Sequence, residues 1–329
     1  MALLRDRTSL AWRRLVDELL EAALLPSWAS SGYRARRAMW GFEPPAPLCA
    51  GSIALVTGAS RGIGEAAARL IAAPGVRVFV VGRDRAALSA AATELARSSG
   101  AQVHALGADL GSLESVRALA SAVRASTGRL DLLVHCAGAM HQTRALSPDG
   151  IERTVAEHVV GPHCLTRELE PLLAPRSSVV FVCSAGMYSE ALDVDRLQID
   201  VEPFRPARAY ARAKRAQAVL GAQWDLRLAA RGARAYVMHP GWVDSRALRE
   251  GLPRFAALMS PLLRSPLEGA DTIAWLASTR PPGPFGLYLD RQPRRLHRLV
   301  HTKVEPGEEQ RLWDWCERVV RPRPVEVVA

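Results

Sequence analysis

Short, continuously apolar runs alternate with longer stretches of helical spacing along most of the chain. The runs at 53–56, 76–81, 103–106, 132–135, 179–182 and 235–238 are rich in Val, Leu, Ile and Ala. Their length and lack of alternation predict strands buried on both faces, as in a parallel sheet. Between them, 65–73, 85–98 and 113–126 carry helical patterns, and longer helical segments precede the last two runs. Strands alternating with helices of this length imply βαβ units. Right-handed crossovers then put helices on both faces and bring ligands to the carboxyl ends of the strands.

The flanks read differently. Residues 1–25 have leucines at broadly helical spacing but include Asp6, Asp17, Glu18 and Glu21, which argues against an acid-poor transit peptide. A helix packed on the main domain is one expectation; a peripheral membrane contact through Trp12 and neighbouring arginines is the other. Pro26, Pro44, Pro45 and Pro47, with Ser and Gly clusters, make 26–50 read as a connector. From Pro306 a short helix around Trp313 and a frayed end are expected. The expected division is an N-terminal helical extension and linker over 1–50, a nucleotide-binding domain over 51–300, and a tail over 301–329.

Charge changes this picture little. The formal charge is +10, but Lys214 and Lys303 are the only lysines and the arginines are spread along all 329 residues. Such uniform arginine usage points to compositional bias rather than a nucleic-acid face. Five scattered cysteines without a CxxC pair support neither a disulfide framework nor a zinc site, so no metal is expected. With no apolar run long enough to span a bilayer and no secretory leader pattern, the expected location is cytoplasmic.

The first apolar run enters Thr57-Gly58-Ala59-Ser60-Arg61-Gly62-Ile63-Gly64 and a helix follows. Gly58 suits a tight turn, Gly62 an approach of backbone to pyrophosphate, and Gly64 close helix packing. The helix N-terminus offers free amides to phosphate. This strand–turn–helix context implies dinucleotide binding and a Rossmann-type, doubly wound α/β fold.

The TGxxxGIG spacing resembles that of the short-chain dehydrogenase/reductase family, over about 250 residues from Gly51 to roughly Asp290. Arg83 stands where an acidic residue would bond the ribose of NAD. With Arg61 it favours NADP(H) over NAD(H) through charge-assisted bonds to a 2′-phosphate; a register shift of one would instead place Asp84 there. By resemblance, Asp109 lies near the adenine, its alternative role being a helix cap. Ala137 and Gly138 keep backbone bare beside the cofactor, although His135-Cys136 replaces the family's two asparagines.

Tyr210-Ala-Arg-Ala-Lys214 matches the family's YxxxK, and residues four apart share a helix face. At about 4 Å and an effective dielectric of about 20, the ammonium would favour the phenolate by roughly 4 kcal/mol, or about three pKa units. Ser184, after the fifth run, matches the family's carbonyl-binding serine. The resemblance thus implies Ser184, Tyr210 and Lys214 as catalytic residues, the last two also touching cofactor. His158 takes the place of the family's asparagine and would either replace its proton relay or block it.

His239-Pro240-Gly241-Trp242-Val243-Asp244-Ser245 resembles the HPGWxxT segment of the retinol-dehydrogenase-like branch. It implies cofactor contacts from Pro240, Gly241, Val243 and Ser245. After it, 246–265 would form an apolar lid or a core-packing helix pair. The expected activity is hydride transfer between NADP(H) and a small lipophilic carbonyl or alcohol. The alternative is a catalytically weak dinucleotide-binding scaffold, motivated by His135, Cys136 and His158. The family also suggests a homo-oligomer.

Overall fold

The computed structural model describes residues 2–198, 203–283 and 286–321, with side chains from residue 10 onward. Three helices, α1 (Ala2–Ala22), α2 (Leu24–Trp28) and α3 (Ser30–Trp40), precede the sheet. The first half then runs β1 (Ile53–Thr57), α4 (Gly62–Ile71), β2 (Arg77–Gly82), α5 (Arg85–Ser99), β3 (Gln102–Gly107), α6 (Leu113–Ser126) and β4 (Leu130–His135). Next come α7 (Arg153–Val155), a π-turn (Ala156–Val160), α8 (Gly161–Leu169), β5 (Leu173–Val182), α9 (Pro206–Ala229) and β6 (Arg234–Met238). The chain closes with α10 (Arg246–Gly251), α11 (Pro253–Met259), α12 (Pro266–Thr279), β7 (Leu287–Leu289), β8 (Gln292–Arg294) and α13 (Glu308–Val320).

The strand order is β3-β2-β1-β4-β5-β6-β7-β8, parallel throughout except for the final β7–β8 pair. Successive strand residues feed opposite layers, which is why most of the runs are continuously apolar; β3, expected to be buried on both faces, is instead the sheet edge and none of its residues is buried. Leu55, Phe79, Leu133 and Phe181 pack towards α6, α8, α9 and α13. Ala54, Val56, Val80 and Val134 pack towards α4, α5 and α12. Strand order reverses between β1 and β4, so their carboxyl ends diverge and open a crevice.

Two further expectations need correction, and two short strands were not foreseen. Residues 26–50 are not all connector: α2 and α3 fill 24–40, with Trp28, Tyr33 and Arg36 buried. At Gly32 a Cβ would lie 2.3 Å from the Ser27 carbonyl oxygen, so glycine permits α3 to pack on α2. The helix around Trp313 belongs to the core, since Leu312 and Cys316 of α13 are fully buried; 322–329, where fraying was expected, lie outside the described residues. The three-residue strands β7 and β8 carried no period-2 signal long enough to read.

Burial of α3 rests on charge. The fully buried Arg36 guanidinium meets Asp17 at 2.6 Å, Glu21 at 3.0 Å and Asp290 at 2.9 Å. Arg294 pairs with Asp17 at 2.8 Å and Arg298 with Glu21 at 3.0 Å. These contacts turn the acidic side of α1 inward and leave Trp12, Leu15 and Leu19 exposed.

Candidate functional site

A cavity of about 910 Å³ occupies the crevice between β1 and β4, within the range of small-molecule and cofactor sites. Its floor is built by Thr57, whose hydroxyl accepts from the amides of Cys136 and Ala137, both at 3.1 Å, and donates to Val134 O at 3.2 Å. Gly58 follows at φ +71°, and a Cβ there would lie 2.7 Å from Ala137 Cα. Turn and close approach therefore both require glycine. No side chain caps the N-terminus of α4, leaving its first amides for an anion. Ser60, Arg61, Gly62, Ile63 and Gly64 line this end, with Arg83 at the rim.

Ser184, Tyr210 and Lys214 meet further along the same cavity. Ser184 follows β5 by two residues and accepts from Gly186 N at 3.3 Å. Tyr210 and Lys214 lie one turn apart on α9, with Nζ 5.7 Å from the phenol ring centre. The buried ammonium donates to Val182 O and to Gln217 Oε1, each at 2.9 Å. Burial pushes the Tyr210 phenol above the ordinary tyrosine range, against the pull of its hydrogen bond with Ser184. Burial likewise lowers the Lys214 pKa. The expected acidification of the phenol by Lys214 is therefore not seen in the chain alone: desolvation dominates and the ammonium is directed at two oxygens. Gln217 escaped the sequence reading, its only signal being a polar residue three places after Lys214 on the same helix face.

His158 projects from the π-turn into this cluster. Its Nε2–H donates to Ala139 O at 2.9 Å, and its ring meets Tyr210 edge-on, 5.2 Å between centres. Burial, and then the Lys214 charge, push it down to about 3, so the imidazole is neutral, and its buried Nδ1 has no hydrogen-bond partner among the described residues. A Cβ on Gly138 would fall 2.1 Å from His158 Cε1. The bareness of Gly138 thus answers to the imidazole as well as to the cavity. His135 is a core residue, bonded to Thr166 at 2.7 Å and stacked on Phe181. Burial pushes the Cys136 and Cys183 thiols up to about 12, so neither is a ready nucleophile.

At the opposite end, Arg83 lies 3.0 Å from Glu157, and Asp84 lies 3.9 Å from Arg61. Burial would raise the Glu157 carboxyl, but the His141 hydrogen bond and the Arg83 charge hold it at about 2. Asp109 lines the cavity with its carboxylate already engaged by Arg153, at 2.8 and 3.1 Å, and by Gly111 N at 2.9 Å. Glu157 was not legible in the sequence, because its partners Arg83 and His141 come from other elements.

Pro240, Gly241, Val243 and Ser245 line the far wall. Ser245 Oγ caps α10 by accepting from Leu248 N at 3.3 Å. Of the expected lid, Leu248, Leu252 and Phe255 face the cavity beside Met140 and Trp242. Leu258 and Leu262 are exposed, whereas Met259 is buried. The segment is therefore part cavity wall and part packing pair. Among the described residues, no cluster of His, Cys, Asp and Glu could hold a metal, and no helix is long and apolar enough to cross a membrane.

This geometry agrees with the comparisons to known proteins. Residues 52–195 match the short chain dehydrogenase family model. Dehydrogenase/reductase SDR family member 12 of Bos taurus is 35% identical, the match covering 81% of this chain and 86% of the relative. The chain belongs to the short-chain dehydrogenase/reductase family. Retinol dehydrogenase 14 of Mus musculus is 30% identical over 88% of this chain and 91% of its own. Among solved structures, the Pseudomonas aeruginosa RhlG/NADP active-site complex is 29% identical, with a TM-score of 0.59 over 73% of this chain and 93% of that one. As a member of the family the protein is an oxidoreductase acting on CH–OH groups, and its fold is one that binds a nicotinamide dinucleotide.

Proposed function

We propose that the protein is an NADP(H)-dependent carbonyl reductase, formally reversible, acting on a lipophilic ketone or aldehyde. The observation that carries this reading is the convergence of Ser184, Tyr210 and Lys214 in a cavity with two arginines at one end and an apolar wall at the other. Gly58, the uncapped amides of α4, Ala137 and Gly138 would cradle the dinucleotide. Arg61 and Arg83 would meet its 2′-phosphate, and Asp109 the adenine side. Pro240, Gly241, Val243 and Ser245 would border the nicotinamide, which when bound in reduced form supplies a hydride to the carbonyl carbon.

Ser184 would donate to the carbonyl oxygen and polarise it. Tyr210, held protonated by burial, would give its proton to that oxygen as negative charge develops there. Lys214 has one N–H left after Val182 and Gln217 are served; it would bond a ribose hydroxyl while its charge steadies the phenolate left behind. Met140, Trp242, Leu248, Leu252 and Phe255 would hold the apolar body of the substrate. Retinol dehydrogenase 14, by its name, acts on a lipophilic alcohol, in keeping with such a wall. The outward Trp12, Leu15 and Leu19, near exposed Arg13 and Arg14, would rest on a lipid surface where such substrates partition.

Oxidation of NADPH by purified protein with a panel of apolar ketones and aldehydes tests the reading. Turnover is expected, and Tyr210→Phe should lower it by about 10²–10⁴-fold while NADPH binding is kept. Undiminished turnover in Tyr210→Phe would remove that residue as proton donor. Absence of NADPH oxidation across the panel would remove the activity.

A further inference from the structure

The segment behind the far wall of the cavity comes from the N-terminal extension, outside residues 52–195 that match the family model. The Trp242 amide donates to Trp28 O at 2.8 Å. Arg264, almost fully buried, donates from Nε to Ala29 O at 3.2 Å and from Nη2 to Ser27 O at 2.9 Å. Its Nη1 reaches Pro240 O at 3.1 Å, and its own amide donates to Trp242 O at 2.8 Å. Asp290 neutralises it at 2.6 and 2.9 Å and also pairs with Arg36 of α3. One guanidinium thus ties Ser27 and Ala29 of the extension to Pro240 of the cavity wall, and backbone hydrogen bonds join Trp242 to Trp28 and to Arg264.

Gly241 reports how tight this clamp is. It sits at φ +73°, and a Cβ there would lie 2.5 Å from Arg264 Nε and 2.6 Å from Trp28 O. A side chain at this glycine is thus excluded from behind the wall, by Arg264 and by the extension. The contact continues through rings. Trp28 meets Trp242 edge-on at 5.6 Å between centres, and Trp242 meets Phe255 at 5.1 Å. Trp242 and Phe255 both line the cavity, whereas Trp28 does not.

We infer that Ser27–Ala29, through Trp28 and Arg264, is a positioning element of the site: it fixes Pro240–Trp242 at the nicotinamide end of the cavity. The inference rests on the proposed orientation of NADP(H), with its 2′-phosphate at Arg61 and Arg83. An element that shapes only one end should affect one half of the dinucleotide. The glycine turn and both arginines are held by other elements.

The test compares NADPH with adenosine 2′,5′-bisphosphate, the half that needs only the arginine end, by calorimetric titration. Trp28→Leu in the full chain should weaken NADPH about tenfold, or ~1.4 kcal/mol, and leave the bisphosphate within about twofold. Trp28→Phe, which keeps an aromatic edge against Trp242, should restore most of the NADPH affinity. Equal weakening of both ligands, or of neither, would overturn the inference. If the wild type binds both ligands but reduces no carbonyl, the proposed reaction falls while this ratio still decides the clamp.

Amide hydrogen exchange on the unmodified protein needs no variant to fold. The Trp242 amide should exchange as slowly as the amides of α3. Exchange at loop rates beside a protected α3 would contradict the clamp.

Discussion

At the scale of single residues, burial rather than charge sets the chemistry of the site. Lys214 lies one helical turn from Tyr210, yet the phenol is raised, not lowered, because desolvation is the larger effect there. Residue types and their spacing are legible in the sequence; the dielectric around them is not. Gly138 makes a sharper case, since its neighbour across the fold is His158. Gly138→Ala should destabilise the protein by about 1–3 kcal/mol through overpacking. His158→Ala in the same chain should recover most of that loss, and urea unfolding of the four proteins would show it. Purely additive costs would mean that the imidazole does not set the limit at position 138. At the rim, Arg83→Ala removes one charge-assisted contact. It should weaken NADPH by about tenfold or more and leave NADH nearly unchanged. Equal loss for both cofactors would assign Arg83 to its Glu157 pair alone.

Among the elements, those with long, pure periodicity were legible and those held by side-chain charge were not. Helix α6 occupies the expected 113–126, and all six expected strands form, each within a few residues of its apolar run except β5, which begins six residues earlier. Helices α2 and α3 were hidden because their buried face mixes Trp28 and Tyr33 with Ser27, Ser30, Gly32 and Arg36 instead of forming an apolar stripe. The partners that make Arg36 buriable come from α1 and from Asp290, beyond the reach of any local window. Arg36→Met should therefore cost about 3–5 kcal/mol, the usual penalty for leaving buried charges unpaired. It should also speed proteolysis of the first 40 residues before the sheet unfolds. Unchanged stability would mean that Arg264, Arg294 and Arg298 neutralise the same carboxylates without it.

For the molecule as a whole, buried neutral histidines set how stability depends on acidity. His135 and His158 are each pushed down to about 3 by burial first and by Lys214 second, and burial also lowers His163 and His239. Unfolding returns each to the ordinary range near 6.5, so below that pH the unfolded chain binds more protons than the folded one. The stability they contribute is complete above pH ~6.5 and drains away as pH falls towards their folded values. Each histidine adds a slope of up to about 1.4 kcal/mol per pH unit within that window. Paired carboxylates such as Glu157, held at about 2, add to the loss only below pH ~4.5, so the interval between belongs to the imidazoles. His158→Gln keeps a donor for Ala139 O and removes one titrating group. Urea unfolding between pH 5 and 7 should then show a slope shallower by up to one proton at the acid end, the difference in slope vanishing towards neutrality. Parallel lines would mean that His158 titrates alike in the folded and unfolded chain, contrary to its burial against Tyr210.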